Sequence, residues 1–248
     1  MKTRWLTRRF QRINYMKILA VDTATKSCSV ALIDEDSLLA ESTAVSGQTH
    51  TRHLLNIIDA VIGKAGLKIS QVDGLAVSIG PGSFTGLRIG ITSIKGLAFS
   101  LNKPVVGVSS LAALASQCKP DHCLICPVID ARKQEVYFSR YRRKRGELTQ
   151  EVQEQVASPA AAVRGIREPC VFIGNGAKLY QDLILTELGD LAHFVAPKQH
   201  TIQASAIARL SLPRFKRRET DNVHLLVPHY IRNSDAELKI KVDNALKS

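Results

Sequence analysis

From Met16 onward the chain sets short apolar runs between polar breaks. KILAVDTA, SCSVALID and SLLAESTA are three such runs separated by TK and DED, and they predict a meander of antiparallel strands. A helix is predicted from Thr49 to Ala65. It is followed by a strand over GLAVSIG, a glycine-rich stretch running into the helix FTGLRIGITSIKGLAFSL, and a strand over PVVGVS. The predicted order is β-β-β-α-β-α-β.

Past residue 110 the pattern restarts. LAALASQ reads as a helix, CLICPVID as a buried strand and EVYFSRYRRKRGEL as an alternating strand ending in a charged turn. VFIGNGA reads as a strand entering a glycine turn, and IQASAIARLSLPRF as a helix. No Gly/Ser linker separates the halves, so two adjoining α/β lobes are expected. The expected divisions are a basic extension at 1–15, a first lobe over 16–110, a second over 111–228 and a tail over 229–248.

Two helix faces stand out. In the first helix Leu54, Leu55, Ile57, Ile58, Val61, Ile62 and Ala65 span an arc of about 160°, where covering one sheet face needs about 100°. The surplus asks for a second partner surface. In the second helix Gly86, Gly90 and Ser93 form a small-residue stripe that permits close helix contact, beside the apolar stripe Leu87, Ile91, Ile94 and Ala98.

Composition narrows the picture. A chain of 248 residues, 45% hydrophobic, can bury a substantial core. It has no run near the roughly 18 apolar residues of a membrane helix and no lipidation signal, so a soluble protein without a membrane partner is expected. The first fifteen residues carry Lys2, Arg4, Arg8, Arg9 and Arg12, no acid and no apolar secretory core. They read as an organellar presequence or as an extension ahead of a start at Met16. Without these five charges the net +12 becomes +7. Cys28, Cys118, Cys123, Cys126 and Cys170 form an odd, irregular set that suits reduced thiols in the cytosol. Cys123 and Cys126 form a CxxC beside His122, which raises zinc, but on a strand an offset of three sends the two sulfurs to opposite faces.

The stretch IGPGSFTGLRIGI invites a phosphate reading, yet no lysine follows Gly86 as a P-loop requires, and three residues rather than two separate Gly82 from Gly86. Two readings stay open. Backbone amides of Ser83 to Gly86 at the helix start face an anion, or Gly80 and Gly82 make a tight turn with Ser83 or Thr85 as cap. Asp22, with Thr23, Thr25 and Ser27, stands where a carboxylate and hydroxyls can order a hydrated magnesium ion, or simply form a turn. Asp22, Thr23, Gly80, Gly82, Ser83 and Gly86 are therefore the candidate nucleotide or anion residues. His50 and His53 lie one turn apart without a third ligand, and Asp130 and Glu135 are paired acids without a nucleophile. In RYRRKR, Arg140, Arg142, Arg143 and Arg145 are candidate RNA contacts or a solvated hairpin tip, and RFKRR (Arg214 to Arg218) is a similar run.

MKILAVDTATKSCSVAL, GPGSFTGLRIGI, KGLAFSLNKPVVGVSSLAALA, DARKQEVY and the closing PHYIR, in order from Met16 to Arg232, resemble the TsaB (YeaZ) family. The resemblance implies a two-lobed actin-like ATPase (ASKHA, ribonuclease-H-like) fold with mixed sheets flanked by helices. It also implies a non-catalytic subunit of the tRNA threonylcarbamoyladenosine (t6A) modification complex, similar to its catalytic paralogue TsaD. In that paralogue two metal-binding histidines stand four apart on a helix after the PVVGV-like strand. Here Ser110 and Leu114 occupy those places, and neither ligates iron or zinc strongly.

The same resemblance implies a chain with no catalytic residue, no metal and no cofactor of its own, joining a cytoplasmic complex that uses ATP and a partner-bound metal. The implied partners are TsaD, TsaE and, through the complex, tRNA, with a homodimer when the chain is alone. Leu54, Ile57, Ile58, Val61, Arg88 and Ile91 are the pool from which the partner interface is expected to draw. The competing readings are a stand-alone actin-like ATPase using Asp22 and the glycine loop, a glycoprotease-type peptidase, and an RNA-binding module using the arginine runs.

Overall fold

The computed structural model describes residues 16–35, 37–45, 50–119 and 122–232, with the side chains of 50–53 excepted. The basic extension 1–15, the tail beyond 232 and the His50 and His53 side chains lie outside the described residues. The first lobe is a five-stranded sheet of β1 (Lys17–Asp22), β2 (Ser27–Asp34), β3 (Ser37–Val45), β4 (Gly74–Gly80) and β5 (Val105–Ser109), ordered β3-β2-β1-β4-β5. The first three strands form the antiparallel meander, with Asp22 opposite Ser29. β4 and β5 run parallel to β1 because helical crossovers, α1 (His50–Lys64) and α2 (Phe84–Leu101), feed them.

Side chains alternate across this sheet and so build two cores. Leu19, Val21, Val30 and Leu32 face outward, where α1 and α2 cover them with Leu54, Ile58, Val61, Ile62, Ile91 and Ile94. Each such fully buried aliphatic side chain stabilises the fold by roughly 1.5–3 kcal/mol. Ile18, Ala20, Ala31 and Ile33 point the other way, into a core shared with the second lobe.

The second sheet contains β6 (Leu124–Arg132), β7 (Glu135–Lys144), β8 (Glu147–Ala157), β9 (Cys170–Ile173) and β10 (Ala192–Phe194), ordered β10-β9-β6-β7-β8. Helices α4 (Pro159–Val163) and α6 (Gln181–Leu188) seal its outer face, and α5 (Asn175–Leu179) packs on β6. Between the sheets lie α3 (Ser110–Ser116) and α7 (Ala204–Lys216).

Two features depart from the expected pattern. β8 is a full strand whose sequence, ELTQEVQEQVA, carries almost no apolar signal, because it is an edge strand supported by β7 on one side with much of its length exposed. α7, although it follows the second sheet in sequence, packs on β1, β2, β4 and β5 of the first, its Ala204, Ile207, Ala208, Leu212 and Phe215 lying in the shared core. Among the described residues no helix is long and apolar enough to cross a membrane.

Candidate functional site

The glycine stretch is a close-approach device. α2 begins at Phe84 with Ser83 as its cap, its hydroxyl accepting the Gly86 amide at 3.3 Å. The Ser83 amide donates to the Ala24 carbonyl at 2.7 Å, and the Thr23 hydroxyl donates to the Gly86 carbonyl at 2.8 Å. A Cβ on Gly82 would strike the Ala24 carbonyl, one on Gly86 the Thr23 carbonyl, and one on Gly90 the Thr23 hydroxyl. Thus the stripe predicted to admit another helix instead seats α2 on the β1–β2 turn. Of the amides from Ser83 to Gly86 that could face an anion, those of Ser83 and Gly86 are bonded within the chain.

Asp22 and Thr23 are brought to this junction and fully buried. Asp22 Oδ1 accepts the Ala24 amide at 3.2 Å, whereas among the described residues its Oδ2 and the buried Ser110 hydroxyl have no hydrogen-bond partner. Burial pushes the Asp22 carboxyl up to about 7, with the nearby Ser78 hydroxyl and the Ala24 amide pulling the other way. The folded chain therefore holds this proton where the unfolded chain, near 3.8, has released it. Stability falls as pH rises through the window from about 4 to about 7 and levels off above it. Asp22→Asn, which does not titrate, is expected to gain on the wild type by about 1.4 kcal/mol per pH unit across that window. Urea unfolding of both proteins at pH 5 and pH 8 checks this, and equal differences at the two values would refute it.

Where β5 runs into α3 lies a cluster the sequence did not reveal. The Ser109 hydroxyl, at the α3 N-cap, donates to Glu154 Oε1 of β8 while accepting the Ala112 amide at 3.1 Å. On its other oxygen Glu154 meets His229 Nδ1 at 3.3 Å. Burial raises the Glu154 carboxyl, with Ser109 and His229 offsetting the rise. Serine, carboxylate and histidine are all present, but the carboxylate stands in the middle. The histidine does not touch the serine, so the order is not that of a Ser-His-acid triad, and the contacts tie the end of β5 to β8 and to the segment that carries His229. Next to it, Ser110 and Leu114 are packed into the shared core. Among the described residues no group of three or more His, Cys, Asp and Glu side chains is placed to hold a metal. Cys126 lies in the outer core of the second lobe and contacts Cys170, while Cys123 packs against the shared core on the opposite face. Asp130 and Glu135 do not act as an acid pair either: Asp130 Oδ1 caps the Arg132 amide, and Glu135 pairs with Arg232 at 2.6 Å.

His229 belongs to a C-terminal segment, residues 221–232, that straps the first lobe. The Asp221 carboxylate accepts the Gly107 amide at 2.7 Å, Lys95 Nζ donates to the carbonyls of His224 and Leu226, and the His229 amide donates to Ile79 at 2.7 Å. Tyr230 stacks on Phe84 at 4.5 Å and its hydroxyl accepts from Arg88 Nε at 3.0 Å. The PHYIR motif was legible as a family mark, but nothing in its spacing announced this docking.

The interface pool is sorted by the same packing. Leu54, Ile58, Val61 and Ile91 are buried against their own sheet. Ile57 is half-buried, and Arg88 is exposed but lies 3.8 Å above the Phe84 ring and bonds Tyr230. Among the described residues, the large apolar side chains that these helices leave more than half exposed are Leu55 on α1 and Phe99 on α2, 57% and 55% exposed.

The arginine runs are largely consumed inside the molecule. Arg140 donates to the carbonyls of Ala162 and Arg164, and Arg142 grips both Glu151 and Glu168. Arg143 donates to the carbonyls of Ser116, Cys118 and Gly146. Only Arg145, at the turn after β7, is an exposed member of the four. In the second run Arg214 pairs with Asp221, Lys216 with Glu35 and Arg217 with Glu219.

Two mixed sheets, an α-helical layer between them, a carboxylate at the end of β1 and a helix seated on the β1–β2 turn define the two-lobed actin-like class of fold. At 12% identity, a solved (R)-2-hydroxyglutaryl-CoA dehydratase component A from Acidaminococcus fermentans shares this fold, with a TM-score of 0.53 over 80% of this chain and 98% of that one. Residues 39–240 match the family described as TsaD, tRNA N6-adenosine threonylcarbamoyltransferase. The Bacillus subtilis (strain 168) tRNA threonylcarbamoyladenosine biosynthesis protein TsaB is 34% identical over 90% of this chain and 97% of its own length. The solved YeaZ from Pseudomonas aeruginosa superposes with a TM-score of 0.75 at 31% identity, covering 87% of this chain and 99% of that one. The chain belongs to the TsaB (YeaZ) family.

Proposed function

We propose that this chain is a non-catalytic subunit in tRNA threonylcarbamoyladenosine biosynthesis, the process named for its TsaB relatives. It binds a TsaD-type catalytic partner through the outward surfaces of α1 and α2, assembles with a TsaE-type ATPase, and pairs with itself through the same surface when alone. ATP and the metal are handled by those partners, and tRNA is met within the assembly. The observation that carries this reading is the fate of the ancestral chemical positions. Asp22 and Thr23 are fully buried and Leu114 is core, so a carboxylate placed like a phosphate-site acid cannot meet a ligand. Leu55 and Phe99 meanwhile remain exposed, where a second protein can cover them.

The test is reconstitution of tRNA modification with the cognate TsaD-type and TsaE-type proteins, with and without this chain. Modification is expected to fall at least tenfold when the chain is omitted, and the chain is expected to co-purify with the TsaD-type protein. Undiminished modification in its absence refutes the proposal.

A further inference from the structure

Many cations that this fold uses structurally face a carboxylate: Arg142 with Glu151 and Glu168, Arg214 with Asp221, Lys216 with Glu35, Arg217 with Glu219, Arg232 with Glu135. Others, Arg140 and Lys95 among them, are held by backbone carbonyls. A further group of cations gathers around one groove. At the end of α3 remote from Ser109, a groove of about 780 Å³ opens between β3, the β7–β8 hairpin and the start of α7. Among the described residues, Lys119, Arg143 and Arg209 line it together with a single acid, Glu41. Both oxygens of Glu41 are committed to Ser205, accepting its amide at 2.9 Å and its hydroxyl at 3.1 Å. The Arg143 guanidinium is pinned by three carbonyls, which fix its position without cancelling its charge. Lys119 and Arg209 are exposed, and among the described residues neither has a carboxylate partner.

We infer that this groove takes the phosphate backbone of tRNA, an inference that rests on the tRNA-modification reading above. Three cations on three different elements around an open groove outnumber its one described carboxylate, Glu41, and leave a net positive field that attracts a phosphodiester chain. Among the described residues the lining has no aromatic side chain on which a base could stack, so the groove suits backbone contact and not capture of a free nucleotide by its base. Side-chain amides of Gln199 and Gln203 on the same wall supply neutral donors for phosphate or ribose oxygens. Of the four arginines that the sequence suggested for RNA contact, Arg143 alone is among the described residues lining this groove.

The test is fluorescence anisotropy of labelled tRNA with the full chain at 50–200 mM salt, a range over which phosphate contacts of about this number are resolved. Arg143 is left intact because it ties the hairpin to α3. The double reversal Lys119→Glu/Arg209→Glu is compared with Lys68→Glu/Lys178→Glu, which changes charge equally at exposed positions outside the groove. The groove pair is expected to weaken binding at least tenfold and to lower the salt slope by about 1.5, while the control pair changes affinity less than threefold. Equal losses from both pairs, no tRNA binding by the wild type at 50 mM salt, displacement of tRNA by inorganic pyrophosphate at equal phosphate concentration, or equally tight binding of poly-glutamate would each overturn the inference. Co-purification with the TsaD-type partner is measured on the same variants and is expected to be unchanged. Should the chain prove dispensable for modification, the functional reading fails, whereas normal dependence on the chain with unaltered tRNA binding by the groove variant defeats the groove alone.

Discussion

Gly86→Ala is expected to cost at least about 3 kcal/mol of folding stability and to lower the thermal midpoint by roughly 6–12 °C, although it adds one methyl group. On an exposed helix the same change stabilises, because alanine is the better helix former by about 1 kcal/mol. Here the new Cβ would overlap the Thr23 carbonyl oxygen, a backbone atom at the end of β1 that cannot swing aside as a flexible side chain can. Relief requires α2 to move away from the β1–β2 turn. That motion stretches the Thr23 hydroxyl bond to the Gly86 carbonyl and the Ser83 amide bond to Ala24, and it loosens Leu87 and Ile91 in two different cores. Gly96→Ala is the internal control: a Cβ there meets nothing within 4 Å, so that variant should match or exceed the wild type. Thermal or urea unfolding of the two variants decides the matter. Equal stability of both would show that the turn and helix are not in forced contact.

This contact also marks where sequence reading ends. Helix and strand order through β5 was legible because each element of the first lobe has a dense apolar signal and tight polar breaks, and the cap at Ser83 was written in the sequence. What the glycines approach was not legible, since the Thr23 carbonyl lies 63 residues away and only the fold brings it to Gly86. β8 escaped notice for the opposite reason: its edge position lets polar residues fill the strand, so pairing with β7 rather than hydrophobicity holds it. The arginine run illustrates a third limit. A count of charges cannot distinguish Arg142, locked between two glutamates, from Arg145, which is exposed, because the neutralising Glu151 and Glu168 come from other segments. Likewise the broad apolar arc of α1 was legible, but not that Leu54, Ile58 and Val61 pack on the sheet while Leu55 is left exposed.

That division makes the second large effect specific. Leu55→Asp combined with Phe99→Asp is expected to weaken binding to the TsaD-type partner at least a hundredfold, about 2.7 kcal/mol, while leaving the thermal midpoint within about 3 °C of the wild type. Both side chains are already more than half exposed, so placing a carboxylate there costs the free chain little; in an interface the same carboxylates would be buried without a partner. Ile58→Asp would give the same loss of binding for a different reason, since Ile58 is 5% exposed and its replacement disrupts the outer core. Unfolding and binding must therefore be read together: loss of binding with normal stability assigns Leu55 and Phe99 to the contact, whereas loss of both would trace only to the fold. Arg88→Ala separates the strap from the partner surface. Its side chain bonds Tyr230 and covers Phe84, so its removal should loosen residues 221–232 and accelerate amide exchange at His229, whose N–H donates to Ile79. If the Leu55 and Phe99 double variant still co-purifies with the partner at wild-type yield and stability, the outward surfaces of α1 and α2 do not form the contact, and the exposed apolar side chains on these helices must be explained otherwise.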